Sequence, residues 1–246
     1  MEKTNYLINI HSHILPEIDD GARSTQMALD MLKESWNQGV EKVILSFHFY
    51  PENHQQKEKA ENQFRSLQDE ITGNMPKVYL GNEIMYDSNS LAYVKSGRAS
   101  TLAGSKYVLL EFKPSDSIEI IHGAIREFKL NGYRPIIAHA ERYESISDMS
   151  ALIKIIDSGG YIQINARNFL TEKLTFGEKR RRKSLIKLLQ LGLVHFIADD
   201  CHDLKERGPC LGLAYNQLIE EGQINEEKLN AIFFANQQKV LDDVKI

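Results

Sequence analysis

Short apolar or β-rich segments alternate along this chain with longer amphipathic segments, and this alternation constrains the fold more than any other feature. Strands are predicted at residues 6–10, 42–47, 77–80, 107–110, 134–138, 161–164 and 194–198. Helices are predicted at residues 25–38, 55–72, 118–131, 148–158, 178–191 and 226–241. Strands that alternate with helices indicate βα units and a parallel sheet.

The spacing of the segments predicts one barrel. Five glycines fall just before a predicted strand, where helix C-caps are expected: Gly39, Gly73, Gly132, Gly159 and Gly192. No linker or repeat interrupts the series, and 246 residues is a common length for one α/β barrel. We therefore expect a single domain over residues 1–246, built as a barrel of about seven βα units.

Composition and charge exclude several classes of protein. The formal net charge is −4, so nothing global favours nucleic acid, which is bound through a basic face. The first ten residues lack the pattern of a signal peptide, and no apolar run approaches the length of a membrane span. The two cysteines are too few for a disulfide framework. These features predict a soluble cytoplasmic protein without membrane insertion.

Side chains able to bind metals lie at the ends of most predicted strands. They are His11 and His13 after the first strand, then His48, Glu83, Glu111 and His139 after the next four, and Asp200 with His202 after the seventh. In a parallel barrel the carboxyl ends of the strands meet at one mouth. We therefore expect these residues, distant in sequence, to lie together.

Residue spacing supports a shared site. A His-x-His sequence in extended backbone places both imidazoles of His11 and His13 on one face. Asp200 and His202 are likewise two residues apart, so their side chains share one face. Asp199 faces the other way and is expected to be a structural carboxylate. Mixed imidazole and carboxylate ligands suit divalent Zn, Mn or Fe. The ligands are too many for one tetrahedral ion, so two or three metal ions are predicted, with Glu83 as a bridging carboxylate.

Five segments carry a more specific signal: His11-Ser12-His13-Ile14-Leu15-Pro16-Glu17-Ile18-Asp19-Asp20-Gly21, Gly81-Asn82-Glu83-Ile84, Leu110-Glu111-Phe112, Ala138-His139-Ala140-Glu141-Arg142-Tyr143 and Asp200-Cys201-His202. They resemble the PHP (polymerase and histidinol phosphatase) superfamily, and within it the bacterial protein-tyrosine phosphatases of capsule and exopolysaccharide operons. The resemblance runs from about residue 9 to 207. It implies a distorted TIM-like (β/α)7 barrel with a three-metal centre, manganese being favoured, that dephosphorylates phosphotyrosine on a cognate tyrosine kinase.

The resemblance also implies a role for each ligand. One metal would be held by His11, His13, Glu83 and Asp200. A second would be held by Glu83, Glu111 and His139, and a third by Asp20, His48 and His202. The second-strand motif departs from the Thr-Pro-His-His that the branch often has, because this chain has Ser46-Phe47-His48-Phe49.

Other residues are implied at the substrate. By the same resemblance Arg142 and Arg207 line the substrate site, where bidentate guanidinium geometry suits phosphate. His48 or Asp20 is expected to assist the leaving phenolate. The expected partner is a phosphotyrosine protein, namely the cytoplasmic tail of a membrane-associated tyrosine kinase.

Three alternatives bear on function. Cys201 and Arg207 fit the Cys-x5-Arg spacing of cysteine-dependent tyrosine phosphatases, but the bulky, acidic residues between them argue against that mechanism. A small-molecule phosphatase such as histidinol-phosphate phosphatase would share the metal centre. A third alternative is a non-catalytic binding module, which would keep the barrel fold but would have lost the metals. Tyr50, Tyr86 and Tyr143 are candidates to stack on a phosphotyrosine ring, and the basic run 178–183 is interpreted as a solvated helix face.

Overall fold

Seven parallel strands form the centre of the molecule. The computed structural model describes residues 6–144, 149–172 and 174–246. The strands are β1 (Leu7–Asn9), β2 (Val40–His48), β3 (Lys77–Met85), β4 (Tyr107–Glu111), β5 (Arg134–Ile137), β6 (Tyr161–Asn165) and β7 (Phe196–Ala198). Each strand pairs in parallel with the next one along the chain.

The two ends of this sheet meet just beyond β1 and β7. A parallel bridge joins Ser12 to Cys201, and the N–H of His13 donates to the carbonyl oxygen of Cys201 at 2.9 Å. The N–H of Asp200 likewise donates to the carbonyl oxygen of His11 at 2.9 Å. The strands therefore form a nearly closed, distorted TIM-like (β/α)7 barrel, which confirms the predicted fold.

The helices lie between the strands and after them. They are α1 (Thr25–Asn37), α2 (Gln56–Glu70), α3 (Ser90–Lys95), α4 (Ile118–Leu130), α5 (Met149–Asp157), α6 (Phe176–Gln190), α7 (Leu211–Glu221), α8 (Glu226–Asn230) and α9 (Asn236–Leu241). Residue 148, where the fourth predicted helix starts, lies outside the described residues. The final helix, predicted at residues 226–241, has those bounds, and a π-helical segment, Ala231–Ala235, joins α8 to α9 within it.

Some elements differ from the prediction for identifiable reasons. Helix α6 begins two residues early because Thr175 and Glu178 form a reciprocal capping box at its N-terminus. Helix α7 was not predicted, and its second residue is Gly212, which lowers helix propensity. A Cβ atom on Gly212 would lie 2.1 Å from the carbonyl oxygen of Gln38, so close packing requires the glycine. Strand β3 was predicted to end at residue 80 but continues to Met85, paired with β2 through Glu83.

The barrel interior changes from apolar to polar along the strands. Alternate residues of a strand share one face. On β4 the inward-facing residues are Tyr107, Leu109 and Glu111, and on β7 and just beyond it they are Phe196, Ala198 and Asp200. The apolar members belong to an inner cluster that is separate from the larger core between strands and helices. The last members are carboxylates at the C-terminal ends of the strands. The barrel interior is therefore packed with apolar side chains at the N-terminal end of these strands and lined with polar side chains at the C-terminal end.

No helix within the described ranges is long and apolar enough to cross a membrane.

Candidate metal centre

The mouth of the barrel brings together all nine residues that the sequence predicted as metal ligands. His48 is the last residue of β2, Glu83 lies within β3, and Glu111 ends β4. The prediction that these three follow their strands was therefore slightly wrong, because the strands continue to them. The other six lie in the loops after β1, β5 and β7: His11, His13, Asp20, His139, Asp200 and His202. Eight of the nine, all except His139, fall into three overlapping groups, and within each group the ligand atoms lie within 4.8 Å of one another.

The first group contains His11, His13, Glu83 and Asp200, all buried. The Nε2 atom of His11 lies 3.3 Å from Oε1 of Glu83 and 3.4 Å from Oδ1 of Asp200. The Nε2 atom of His13 lies 3.3 Å from Oε2 of Glu83 and 3.4 Å from Oδ1 of Asp200. This group has the same members as the first ligand set implied by the resemblance.

The second group contains His13, Asp20, His48 and His202 and lies nearer to solvent. Oδ1 of Asp20 lies 3.5 Å from Nε2 of His48 and 3.4 Å from Nε2 of His202. The rings of His13 and His202 stack with their centroids 3.8 Å apart. The group therefore adds His13 to the three ligands that the resemblance implied for this position.

The third group contains His48, Glu83 and Glu111. His139, rather than His48, was the histidine implied there. Nε2 of His139 nevertheless lies 2.8 Å from Glu83 and 3.4 Å from Glu111, so it contacts the same two carboxylates. Glu83 belongs to two groups and also contacts His139, which is the arrangement expected of a bridging carboxylate.

The chemistry of these residues fits divalent cations. Oε2 of Glu83 and Nε2 of His202 are buried, and neither forms a hydrogen bond within the described part of the chain. Burial, together with the nearby charge of Glu83, raises the pKa of Glu111 to about 7. Burial and the neighbouring His13 lower the pKa of His202 to about 4. Positive ions between these groups would relieve the carboxylate repulsion and satisfy the unpaired atoms, and imidazole with carboxylate suits Zn, Mn or Fe.

A loop folded back beneath the first histidines orients them. The Nδ1 atom of His13 lies 2.7 Å from Oδ2 of Asp19, which also accepts from the N–H of His48 at 3.0 Å. Oδ1 of Asp19 accepts from the N–H of Gly21 at 3.0 Å. A Cβ atom at Gly21 would lie 1.9 Å from the carbonyl oxygen of His13, so only glycine fits this fold of the loop.

Two further residues orient ligands from the neighbouring strands. Oε1 of Gln163 lies 3.2 Å from Nδ1 of His11 and accepts from the N–H of His139 at 2.7 Å. The hydroxyl of Tyr143 lies 3.2 Å from Nδ1 of His139 and accepts from the N–H of Phe112 at 3.1 Å. The orienting roles of Asp19, Gln163 and Tyr143 were not predicted from the sequence. The signal for Gln163 was a polar residue inside an otherwise apolar strand.

Both arginines predicted at the substrate site reach the edge of the metal centre. Nη2 of Arg142 lies 2.6 Å from Oδ2 of Asp200, and Nη2 of Arg207 lies 3.1 Å from Oδ1 of the same carboxylate. The side chains of Arg142 and Arg207 are 41% and 39% exposed. Asp200 itself has a φ of 53°, a strained conformation for a non-glycine residue that is common at functional sites. The two guanidinium groups therefore lie between the ligands and solvent.

Cys201 is not placed to act as a nucleophile. The residue is 1% exposed and packs in the large hydrophobic core, away from solvent. Burial, with Asp199 close by, raises the pKa of the Cys201 thiol well above its ordinary value. Asp199 accepts hydrogen bonds from the Asn9 amide and from the N–H of Cys210, so it is the structural carboxylate that the spacing predicted.

The three tyrosines suggested as stacking residues have different positions. Tyr143 is 2% exposed and packs inside the protein, so that suggestion was wrong for Tyr143. The hydroxyl of Tyr86 lies 3.2 Å from a carboxylate oxygen of Glu127, outside the metal groups. The ring of Tyr50 lies 6.1 Å from the ring of His48, so Tyr50 borders the centre.

A known protein family matches nearly the whole chain. The sequence profile of the family described as "Capsular polysaccharide synthesis, CpsB/CapC" matches residues 7–242. The chain belongs to the CpsB/CapC family. Tyrosine-protein phosphatase CpsB of Streptococcus agalactiae serotype III is 32% identical over 250 residues, covering 96% of this chain and 98% of that protein. Tyrosine-protein phosphatase CpsB of Streptococcus pneumoniae is 32% identical over 247 residues, covering 96% and 99%.

A solved structure shares the fold of this CpsB/CapC family member. It comes from a study of YwqE from Bacillus subtilis and CpsB from Streptococcus pneumoniae, described as unique metal-dependent tyrosine phosphatases. The TM-score is 0.84 at 24% sequence identity, and the match covers 98% of this chain and 96% of that chain. The barrel therefore has the architecture of that structure over nearly its whole length.

Proposed function

We propose that this chain is a metal-dependent protein-tyrosine phosphatase that hydrolyses phosphotyrosine on a protein substrate. The observation that carries the proposal is the convergence of Arg142 and Arg207 on Asp200, a member of the first metal group. Guanidinium groups beside a metal centre can bind the oxygens of a phosphate. Relatives that are 32% identical over 96% of the chain carry the name tyrosine-protein phosphatase.

The ligands have a clear chemical task in such a reaction. Divalent ions held there would act as Lewis acids and lower the pKa of a bound water toward about 7. The buried carboxylates of Glu83 and Asp200 would balance the positive charge of these ions. Asp19 and Gln163 hold the rings of His13 and His11 in place, so little reorganisation is needed when substrate binds.

The residues on the open side of the centre meet the substrate. Arg142 and Arg207 bind the non-bridging oxygens and offset the negative charge of the phosphate. Asp20, whose side chain is 58% exposed, and His48, at 23%, lie on the solvent side. Either would assist the departing phenolate on this side, and the pKa of about 10 of the corresponding phenol makes phenolate a fair leaving group.

The finer assignments rest on the family resemblance together with the ligand groups. We propose two or three divalent ions, with manganese favoured over iron and zinc. The substrate would be the cytoplasmic tail of a membrane-associated tyrosine kinase of capsule or exopolysaccharide synthesis, and the protein would act in the cytoplasm as one domain over residues 1–246. The half-exposed arginines favour a protein substrate, because a small ester is usually enclosed in a deep pocket.

Substrate comparison tests the proposal. Protein loaded with manganese, iron or zinc is assayed for steady-state turnover of a phosphotyrosine peptide, the matching phosphoserine peptide and histidinol phosphate. The phosphotyrosine peptide should have the highest kcat/KM, and chelation should abolish turnover until metal is restored. A strong preference for histidinol phosphate would instead identify a small-molecule phosphatase. Metal-free protein that binds the peptide, with no turnover after loading, would identify a binding module.

A further inference from the structure

A cavity of about 250 Å³ lies beside the metal centre and is not explained by phosphate hydrolysis. Its lining includes Arg142, Asn165, Arg167, Arg181, Glu141 and Glu178. We call it the arginine cavity, after Arg142, Arg167 and Arg181. We propose that it is a subsite for an acidic side chain close to the phosphotyrosine in a peptide substrate. This inference rests on the proposed function and names the substrate class more closely.

The arginine cavity adjoins the metal centre through two of its lining residues. Arg142 and Asn165 line the cavity, and both donate hydrogen bonds to Oδ2 of Asp200, at 2.6 and 2.8 Å. Asp200 belongs to the first metal group. A phosphate bound by Arg142 at the metal centre would therefore lie beside the cavity wall. Because an extended peptide advances about 3.3 Å per residue, side chains a few positions from the phosphotyrosine can enter it.

The positive charge of the cavity is available to a ligand. Within the described ranges, neither Arg167 nor Arg181 forms a salt bridge, in contrast to Arg182, which is paired with Glu221 at 2.6 Å. Arg167 donates to the carbonyl oxygen of Gly208 at 3.1 Å and keeps its charge unpaired. Two guanidinium groups in one cavity suit a carboxylate, which they can bind in bidentate fashion.

The three arginines of the cavity wall outnumber its two glutamates, whose carboxylate oxygens form hydrogen bonds with neighbouring residues. The carboxylate of Glu178 accepts from the N–H and hydroxyl of Thr175, in the capping box of α6. Oε1 of Glu141 accepts from the Asn168 amide at 2.8 Å and lies 3.3 Å from the N–H of Asn165. Neither of these glutamate oxygens accepts a hydrogen bond from Arg167 or Arg181 within the described residues, so these arginines have donors left for a ligand.

One part of the basic run on α6 lines the arginine cavity, and the rest does not. Arg181 lines the arginine cavity, whereas Lys183, on the same helix and exposed, does not. The chain as a whole carries a formal charge of −4, so general attraction of acidic molecules is not expected. The preference for acidic peptides should therefore depend on particular arginines.

A pair of peptides tests the subsite. Both contain phosphotyrosine, and they differ only in having Asp and Glu, or Asn and Gln, at the flanking positions. The wild type should favour the acidic peptide by about 10-fold in kcat/KM, the gain typical of one charge-assisted hydrogen bond. Arg181→Gln and Arg167→Gln should each bring the ratio towards one, and the preference should shrink as salt is added. Lys183→Gln is the matched control, since it removes the same charge from outside the cavity and should keep the wild-type ratio.

Two results would overturn the subsite. One is an equal kcat/KM for both peptides in the wild type, and the other is an equal fall of the ratio in Lys183→Gln and Arg181→Gln. Peptide binding to the metal-loaded protein, followed by fluorescence anisotropy, separates this failure from failure of the proposed function. If neither peptide is hydrolysed, the proposed function is wrong, and the ratio of the two dissociation constants still decides whether the cavity selects acidic peptides.

Discussion

Asp19 holds the imidazole of His13, with its Oδ2 atom 2.7 Å from Nδ1, while Nε2 of His13 faces two metal groups. The same carboxylate accepts from the N–H groups of His48 and Gly21. The buried side chain of Asp19 therefore orients the His13 ring and also holds the backbone at His48 and Gly21. A carboxylate behind a metal-binding histidine raises the basicity of the ligand and fixes its orientation.

Replacement of Asp19 should therefore weaken metal binding without removing a ligand. In Asp19→Ala the affinity for the divalent ion should fall by about 10- to 100-fold, the usual cost of losing such a partner. Competition with a chelator of known affinity measures the loss. Asp69→Asn, at an exposed position on α2, is the control and should behave as the wild type. Wild-type affinity in Asp19→Ala would show that His13 needs no orientation by this carboxylate.

Tyr143 has a structural role that Tyr143→Phe should reveal. The hydroxyl accepts from the buried N–H of Phe112 and lies 3.2 Å from Nδ1 of His139. Loss of the hydroxyl leaves a buried donor unsatisfied, which costs about 1–3 kcal/mol in the free energy of unfolding. Urea unfolding of metal-free protein measures this cost without a contribution from bound ions. An unchanged midpoint and slope would mean that water or another group replaces the hydroxyl.

Cys201 should be dispensable for catalysis. The thiol is buried in the core, and the Arg142 and Arg207 side chains, not the thiol, lie at the edge of the metal centre. Cys201→Ser should therefore keep its metal and most of its phosphotyrosine turnover, with some loss of stability from a hydroxyl in an apolar position. Nearly complete loss of turnover with the metal content intact would instead support the cysteine mechanism.

The fold could be predicted from the sequence because the seven strands and most of the longer helices carry their own periodic signals. The ligands could be predicted because strand order places their ends at one mouth, as with Glu83 and Asp200. The orienting residues could not, since Asp19 and Gln163 act through contacts that depend on loop path and side-chain direction. Helix α7 was missed because Gly212 weakens its local signal, and its close approach to Gln38 exists only in the folded protein.

His195 should make stability dependent on pH. Burial lowers its pKa to about 4, and Nδ1 of the neutral ring accepts from the N–H of Ile162 at 3.1 Å. In the unfolded chain the pKa is about 6.5, so the unfolded state binds the proton more readily. The contribution of His195 is therefore present above about pH 6.5 and is lost as the pH falls towards about 4.

Urea unfolding at about pH 7.5 and about pH 5, on the wild type and His195→Gln, measures this contribution. The wild type should lose more unfolding free energy between the two conditions than the variant, because Gln does not titrate. Both proteins are metal-free, so protonation of the metal-binding side chains contributes equally to the change in unfolding free energy of the two. The same loss in both chains would mean that His195 is accessible enough to be protonated in the folded state.

His13 belongs to two of the three metal groups, so its removal tests the metal centre most directly. Bound metal and phosphotyrosine-peptide turnover are measured on the same preparations of the wild type, His13→Ala and the control His54→Ala, at an exposed histidine outside the groups. The wild type should hold more than one divalent ion, and His54→Ala should match it. His13→Ala should lose metal, at least about 10-fold in affinity, together with turnover. Retention of both the metal and the rate by His13→Ala would contradict the assignment of the site.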